Sequence, residues 1–153
     1  MKKTIFKTIL LSLLFSQFPN VNAQALPKDS PELKQLSAMG YDFPRDLESS
    51  SFTVASNGTN KIVLTRDKDR LAIWRMFTRK KSLTSAQEYE LLKIINKINT
   101  DLTYQVQISD GSMSMILYDF GSYDPKIFAK LVRMIEKADT IYETYPELLK
   151  LLN

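Results

Sequence analysis

The sequence predicts a single α+β domain whose mostly antiparallel, five-stranded sheet carries its helices mainly on one face. Three observations predict this class. Short segments of β type are separated by turn residues, apolar residues recur at helical spacing in other segments, and the segments follow the order α-β-β-β-α-β-β-α. Strands joined by hairpins pair antiparallel, and helices segregated to one face of such a sheet are typical of α+β proteins.

One short helix begins the predicted domain. Asp29 or Ser30 can cap the first amide groups of this helix, and Pro31 is favourable in its first turn. Gly40 is typical of the residue just past a helix end. The sequence therefore predicts a helix over 31–39.

Three strands follow the first helix. The stretch 57–60 (Asn-Gly-Thr-Asn) is a strong turn signal between the first two strands, and Asp67, Lys68 and Asp69 form a second turn. The third strand is apolar at nearly every position, which indicates that both of its faces are covered. These strands are predicted over 51–56, 61–66 and 71–77.

A long helix is predicted to begin at Thr84 or Ser85, where Ser85 and Glu88 fit a capping box. Its apolar residues recur at i, i+3, i+4 and i+7, so one stripe faces the core. Tyr89 and Leu92 are expected to widen this apolar surface. The stripe comprises Leu91, Ile94, Ile95 and Ile98.

A second hairpin and a last long helix complete the domain. Alternation over 102–109 predicts a strand with one buried face, Asp110-Gly111 predicts a tight turn, and 112–120 is the return strand. The return strand places Met113, Met115 and Leu117 on one face and Ile116, Tyr118 and Phe120 on the other.

Asp124 is expected to cap the last long helix. This helix is expected to face the sheet with Ile127, Leu131, Met134, Ile135 and Ala138.

The first 25 residues have the organisation of a removable secretory signal. Three lysines give a positive start, an apolar run follows over 9–18, and small residues form cleavage sites after Ala23 and after Ala25. The apolar run is shorter than the roughly 20 residues of a membrane-spanning helix, which argues against a retained anchor. We therefore expect a periplasmic or secreted domain over 26–153 with no stable membrane span.

Removal of the signal changes the charge of the chain. The full sequence has a formal net charge of +4, but without the three signal lysines 18 basic residues face 17 acidic ones. The basic character that would favour a nucleic-acid partner is thereby lost, and we expect no such partner. The remaining positive charge is concentrated over 61–81, which contains eight basic and two acidic residues.

The chain contains no cysteine and no histidine, which excludes disulfides, zinc sites and thiol or imidazole catalysis. Asp119 and Asp124 are a carboxylate pair, but Asp124 is better explained as a helix cap. Asp67 and Asp69 lack the further oxygen ligands of a calcium loop. We therefore expect no enzymatic activity, no catalytic or metal-binding residues and no cofactor.

Several local features together resemble a known family. They are the helix stop Met39-Gly40-Tyr41, the helix end over 95–99, the segment 102–106, the Asp110-Gly111 turn and a long C-terminal helix. In these features and in element order the chain is similar to the YbjN-like family, which shares the small α+β fold of class I type III secretion chaperones. The resemblance covers most of the mature chain. It implies a non-enzymatic, often dimeric module for regulation or chaperone-like binding, although those chaperones are cytoplasmic and this chain is predicted to be exported.

Two features are candidates for partner binding. One face of the strand over 71–77 should lie under the helices, and the opposite face is either covered by a loop or open as an apolar interaction site. The basic end of the segment 61–81 could bind an acidic partner, with a solvated turn as the alternative. The candidate residues are Ala72, Trp74, Arg75, Met76, Arg79, Lys80 and Lys81.

The sequence thus predicts an exported module that binds a protein partner, with a homodimer as one possible assembly. An immunity or inhibitor protein that neutralises a toxin or hydrolase is the alternative, because small size, export and the lack of catalytic chemistry suit it equally. A hydrolase that uses Asp119 and Asp124 is a third, less favoured hypothesis.

Overall fold

Five antiparallel strands form one open sheet in the computed structural model of the chain, which describes residues 23–45, 49–68, 70–80, 82–101, 104–109 and 111–152. The strands are β1 (Thr53–Ser56), β2 (Lys61–Asp67), β3 (Arg70–Thr78), β4 (Gln105–Ser109) and β5 (Ser112–Phe120). They lie in the order β1-β2-β3-β5-β4, so β3 is the central strand. The predicted sheet and the α+β class are confirmed.

The described helices pack together on one face of this sheet, which we call the inner face. Their buried side chains, such as Leu36, Leu91 and Phe128, belong to one cluster with the buried side chains of that sheet face. The helices are α1 (Pro31–Ala38), α2 (Ser85–Asp101), α3 (Pro125–Glu136), α4 (Ile141–Thr144) and α5 (Leu148–Leu151), with a 3₁₀ turn (Lys137–Thr140) between α3 and α4. The predicted order is therefore confirmed, with two short helices added at the C-terminal end.

Side-chain caps fix the starts of α1 and α3 as predicted. The Ser30 hydroxyl accepts a hydrogen bond from the Leu33 amide at 3.4 Å. The Asp124 carboxylate accepts hydrogen bonds from the amides of Lys126 and Ile127 at 2.8 and 2.9 Å. Because the first amides of a helix have no partner within the helix, these caps stabilise both starts.

The cap of α2 differs from the predicted one by a single residue. The Thr84 amide donates to the Gln87 side chain at 2.9 Å, and the Gln87 amide donates to the Thr84 hydroxyl at 3.3 Å. This reciprocal pair is the capping box, so the box predicted at Ser85 and Glu88 is wrong. Glu88 instead faces the guanidinium of Arg79 at 3.7 Å.

The core stripe of α2 is confirmed, but its predicted widening is not. All four residues of the stripe are buried. Tyr89 is 70% exposed and Leu92 is 52% exposed, so neither joins the core. Both positions are rotated away from the stripe around the helix, at about 100° per residue.

The helix α3 is rotated relative to the predicted stripe. Ile127 is 50% exposed, and Leu131 and Met134 are half-buried. Phe128 and Val132, each one residue after a predicted position, are fully buried instead. Of the predicted stripe, Ile135 and Ala138 are buried as expected. The α3 prediction is therefore corrected, because the large Phe128 ring fills the core and packs 5.9 Å from the Tyr123 ring.

Residues just before the predicted domain start are bonded to the sheet. The amide of Gln24 donates to the carbonyl of Arg66, and the amide of Arg66 donates to the carbonyl of Gln24, both at 2.9 Å. The Ala25 amide donates to the Ser50 carbonyl, also at 2.9 Å. Residues 1–22 of the predicted signal segment (1–25) lie outside the described residues. Within the described part, no helix is both long enough and apolar enough to cross a membrane.

The predicted turn over 57–60 falls where expected. The Asn57 amide donates to the Asn60 carbonyl at 3.1 Å, and the Asn60 amide donates to the Asn57 side chain at 2.7 Å. Gly58 between them has φ +83, a conformation that favours glycine. Asp69 and Asp110, which belong to the other two predicted turns, and residues 102–103 of a predicted strand lie outside the described residues.

The rotation of α3 can be tested with two adjacent substitutions. Phe128→Ala removes a fully buried ring and is expected to lower the free energy of unfolding by about 3–5 kcal/mol. Ile127→Ala is the matched control, and its half-exposed side chain is expected to cost less than about 1 kcal/mol. Urea unfolding followed by circular dichroism measures both losses. Equal losses for the two variants would contradict the observed rotation.

Candidate functional site

The sheet face turned away from the helices carries three of the predicted partner-binding residues, Ala72, Trp74 and Met76. Side chains alternate along a strand, so these three point away from the inner-face residues Leu71 and Ile73. A separate apolar cluster on this face joins β2, β3 and β5, and none of the described helices contributes to it. We call this face the outer face, with Val63, Thr65, Ala72, Trp74, Met76, Ser114, Ile116, Tyr118 and Phe120 as its central residues.

Trp74, the single tryptophan of the chain, is the centre of the outer face. The strand register places it between Val63 on β2 and Ile116 on β5. Its indole N–H donates to the Thr65 hydroxyl at 3.1 Å, which fixes the ring orientation. Trp74 is only 8% exposed.

An aromatic extension continues the outer face towards one end of the sheet. The Tyr118 and Phe120 rings lie 6.1 Å apart, and the Arg70 guanidinium lies 5.0 Å from the Tyr118 ring centre. Burial raises the pKa of the Tyr118 hydroxyl, an effect that the Arg70 charge opposes. Phe120 is 71% exposed, so the apolar cluster runs outward into solvent at this end.

Arg75 lies on the inner face and is not part of the same surface as Trp74. Its guanidinium donates to the Glu136 carbonyl at 2.6 Å, at the C-terminal end of α3, and to the Asn60 side chain at 2.9 Å. It also pairs with the Asp139 carboxylate. The Arg75 side chain is only 12% exposed. These contacts join β3 to the end of α3, so we assign Arg75 a structural role.

The Glu136 carboxylate extends this polar network to other segments. The Tyr41 hydroxyl donates to it at 2.8 Å, and the Asn57 amide group donates to the same oxygen at 3.4 Å. Burial raises the pKa of Tyr41 first of all, and the Glu136 hydrogen bond and charge raise it further, because an ionised tyrosine would face a carboxylate. The Tyr41 hydroxyl therefore remains a donor at neutral pH.

Arg79 and Lys80, the described basic candidates after Arg75, make contacts within the fold. The Arg79 guanidinium donates to the Ser109 carbonyl at 3.3 Å and faces Glu88. The Lys80 amide donates to the Leu151 carbonyl at 3.2 Å. Lys81 lies outside the described residues. The basic candidates are thus placed apart from Trp74, and their assignment to partner binding stays a prediction.

Much of the charge of the segment 61–81 is paired within the fold. Four of its arginines face carboxylates, and three of these carboxylates come from distant segments. The pairs are Arg66 with Glu32, Arg70 with Asp67, Arg75 with Asp139 and Arg79 with Glu88. Three carboxylates from outside the segment therefore offset about half of its local excess of positive charge.

The outer face contains functional candidates that sequence reasoning did not join to Trp74. Alternation grouped Ile116, Tyr118 and Phe120 on one side of a strand, but it does not reveal which strand lies beside β3. The register places Tyr118 opposite Ala72 and Ile116 opposite Trp74. Only the pairing of β3 with β5 therefore brings the two apolar rows together.

The carboxylates considered for catalysis have structural placements. Asp124 caps α3, as described above. Asp119 pairs with Leu71 in the strand register and so lies near the end of β5. Among the described residues, no group of three or more acidic side chains could hold a metal ion.

The structural role of Arg75 can be tested against an arginine on the same strand. Arg75→Ala is expected to lower the free energy of unfolding by about 2–4 kcal/mol, because hydrogen bonds to charged groups are each worth about 1.5–3 kcal/mol. Arg70→Ala is the control, since a partly exposed ion pair is worth about 1 kcal/mol or less. Urea denaturation of both variants measures the difference. A loss at Arg75 no larger than that at Arg70 would contradict this role.

Comparison with known proteins identifies the fold. No protein-family model matches the chain, and no curated protein matches its sequence. Among solved structures, the chain is similar to the crystal structure of "YbjN, a putative transcription regulator from E. coli", with a TM-score of 0.58 and 14% sequence identity. The similarity covers 78% of this chain and 91% of that chain. At this identity it concerns the fold alone, and it agrees with the resemblance seen in the sequence: the chain has a YbjN-like fold.

Proposed function

We propose that this chain is an exported, non-enzymatic module that binds a partner protein through the outer face of its sheet. One observation carries the proposal. The outer face holds a second apolar cluster around Trp74, to which none of the described helices contributes, and which continues into the exposed Phe120. The centre of the cluster is buried, but Tyr118 is partly exposed and Phe120 is largely exposed, and exposed apolar surface that continues such a cluster is typical of interaction sites.

The residue types of the outer face also favour a protein partner. Tryptophan, tyrosine and arginine are the residues that most often dominate the energy of protein interfaces. Trp74, Tyr118 and Arg70 lie on this face. The hydrogen bond from Trp74 to Thr65 and the stacking of Arg70 on Tyr118 hold these groups in place, which lowers the entropy cost of binding.

The chemistry of the chain supports a binding role rather than catalysis. The sequence has neither cysteine nor histidine, and Asp124 is engaged as a helix cap. YbjN is described as "a putative transcription regulator", but we do not transfer contact with DNA to this chain. A predicted export signal and a nearly balanced mature charge both argue against a nucleic-acid partner.

Backbone contacts support cleavage after Ala23 over cleavage after Ala25. Cleavage after Ala25 would remove Gln24 and with it both hydrogen bonds to Arg66, as well as the bond from Ala25 to Ser50. Cleavage after Ala23 keeps all three. We therefore place the first residue of the mature domain at Gln24, two residues before the start inferred from the sequence.

Export and processing can be tested together. The full chain, produced in a bacterium with a C-terminal tag, is expected to accumulate in the periplasm or medium with an N terminus at Gln24. N-terminal sequencing or intact-mass measurement of the purified protein identifies the cleavage site. A chain that keeps Met1 and stays in the cytoplasm would contradict export, whereas an N terminus at Leu26 would contradict only the choice of site.

The binding face can be tested by site-specific photo-crosslinking in the producing cell. A photoreactive phenylalanine analogue at Phe120 is expected to form a discrete adduct with a partner protein. The same analogue at Tyr89 is the matched control, because Tyr89 is equally exposed but lies on α2, in the helical layer. Adducts are separated by electrophoresis and identified by mass spectrometry.

The identity of the adduct distinguishes the hypotheses. A crosslink to a second copy of this chain indicates the homodimer, and a crosslink to a secreted toxin or hydrolase whose activity falls on binding indicates the inhibitor. Equal labelling at Phe120 and Tyr89, or no adduct at Phe120, would contradict a binding role for the outer face.

A further inference from the structure

Helix α3 and the turn after it carry four basic side chains along the side opposite their core stripe. They are Lys126, Lys130, Arg133 and Lys137, at positions i, i+4, i+7 and i+11. With about 3.6 residues per turn, the four lie within about 60° of one another around the helix and span about 16 Å along it. All four are exposed. We call this set the basic stripe.

Among the described residues, no acidic side chain forms an ion pair with the basic stripe. None of its four members makes an ion pair there, whereas the arginines of the segment 61–81 are paired. Like charges three or four residues apart on a helix repel each other by a few tenths of a kcal/mol per pair. An unbalanced stripe of this kind is complementary to a partner with several negative charges.

A groove with a volume of about 550 Å³ runs beside the basic stripe. The four basic residues line it together with Gln35, Pro125, Ala129 and Met134, and no carboxylate is among the lining residues. The Gln35 side chain donates to the Pro125 carbonyl at 2.8 Å and accepts a hydrogen bond from the Tyr123 hydroxyl. These bonds tie α1 to the start of α3, so one wall of the groove is already formed.

We propose that this groove binds an acidic segment of a partner protein, at a second site independent of the outer face. Its apolar lining, Ala129 and Met134, suits an apolar side chain, and the basic stripe suits carboxylates on either side of that side chain. Alternate residues of an extended peptide lie about 6.6 Å apart, close to the rise of about 6 Å between residues i and i+4 of a helix. A flat layer of lipid headgroups would contact the ammonium groups but leave the recess unfilled.

The test uses a labelled synthetic peptide of about twelve residues, in which Glu alternates with Ala around one central Leu. Fluorescence anisotropy with the processed chain is expected to show saturable binding that weakens as ionic strength rises from about 0.05 M to about 0.3 M, because salt screens exposed charges. The same peptide with Gln in place of Glu should bind at least about tenfold more weakly, because it has lost the charge complementarity.

Charge reversal on the stripe supplies the decisive comparison. The double variant Lys130→Glu, Arg133→Glu is expected to weaken peptide binding at least about tenfold, since it replaces two attractive contacts with repulsive ones. The control variant Lys93→Glu, Lys150→Glu changes the net charge equally at exposed positions on α2 and α5 and should weaken binding less than about twofold. Circular dichroism of both variants checks that they remain folded.

Three results would overturn the proposal. The first is no saturable binding of the Glu peptide, and the second is equal weakening by the stripe and control variants, which would indicate attraction by overall charge. The third is stripe-dependent binding to phosphatidylglycerol vesicles or to a single-stranded oligonucleotide without binding of the peptide. Photo-crosslinking at Phe120 is unaffected by any of these results, so this site and the outer face are judged separately.

Discussion

Arg75 forms the polar contact that fixes the end of α3 and the following 3₁₀ turn against the sheet. It occupies an inner-face position of the central strand, between the apolar residues Ile73 and Phe77, and its guanidinium reaches the last carbonyl of α3. The remaining donors engage Asn60 in the β1–β2 turn and Asp139 in the 3₁₀ turn. Apolar contacts alone are not directional, so the hydrogen bonds of the Arg75 guanidinium determine where the end of α3 lies relative to the sheet.

The same arrangement leaves the two faces of the sheet chemically different. On the inner face, β3 presents Arg75 together with apolar side chains, and the helices cover this row of residues. On the outer face, the neighbouring position is Trp74, whose hydrogen bond to Thr65 stays within the sheet itself. The outer face therefore satisfies its buried polar group without any described helix. Because this polar group is paired within the sheet, an apolar outer face is compatible with a stable fold.

Local periodicity was sufficient for the fold class and element order, and also for the α2 stripe and the grouping of Ala72, Trp74 and Met76. It failed for α3, because apolar residues occupy more than one side of that helix and only packing of Phe128 selects the buried side. It also failed for Arg75, whose partners Glu136 and Asp139 lie 61 and 64 residues further along the chain. A charged residue in a strand therefore indicates a surface position only where no distant residue pairs with it, and local periodicity does not reveal such pairs.

The positive charge shows how folding changes what a sequence pattern indicates. The segment 61–81 is the most basic part of the sequence, yet its arginines are paired inside the fold, while the shorter basic stripe on α3 is unpaired among the described residues. The stripe points away from the inner core, and the outer face lies on the opposite side of the sheet. Apolar contacts depend little on salt. The electrostatic attraction of the stripe falls off over about 8 Å at physiological ionic strength and weakens as salt is added. The two proposed sites therefore differ in their response to salt: raising the salt concentration should release an acidic segment from the stripe but not a partner from the outer face.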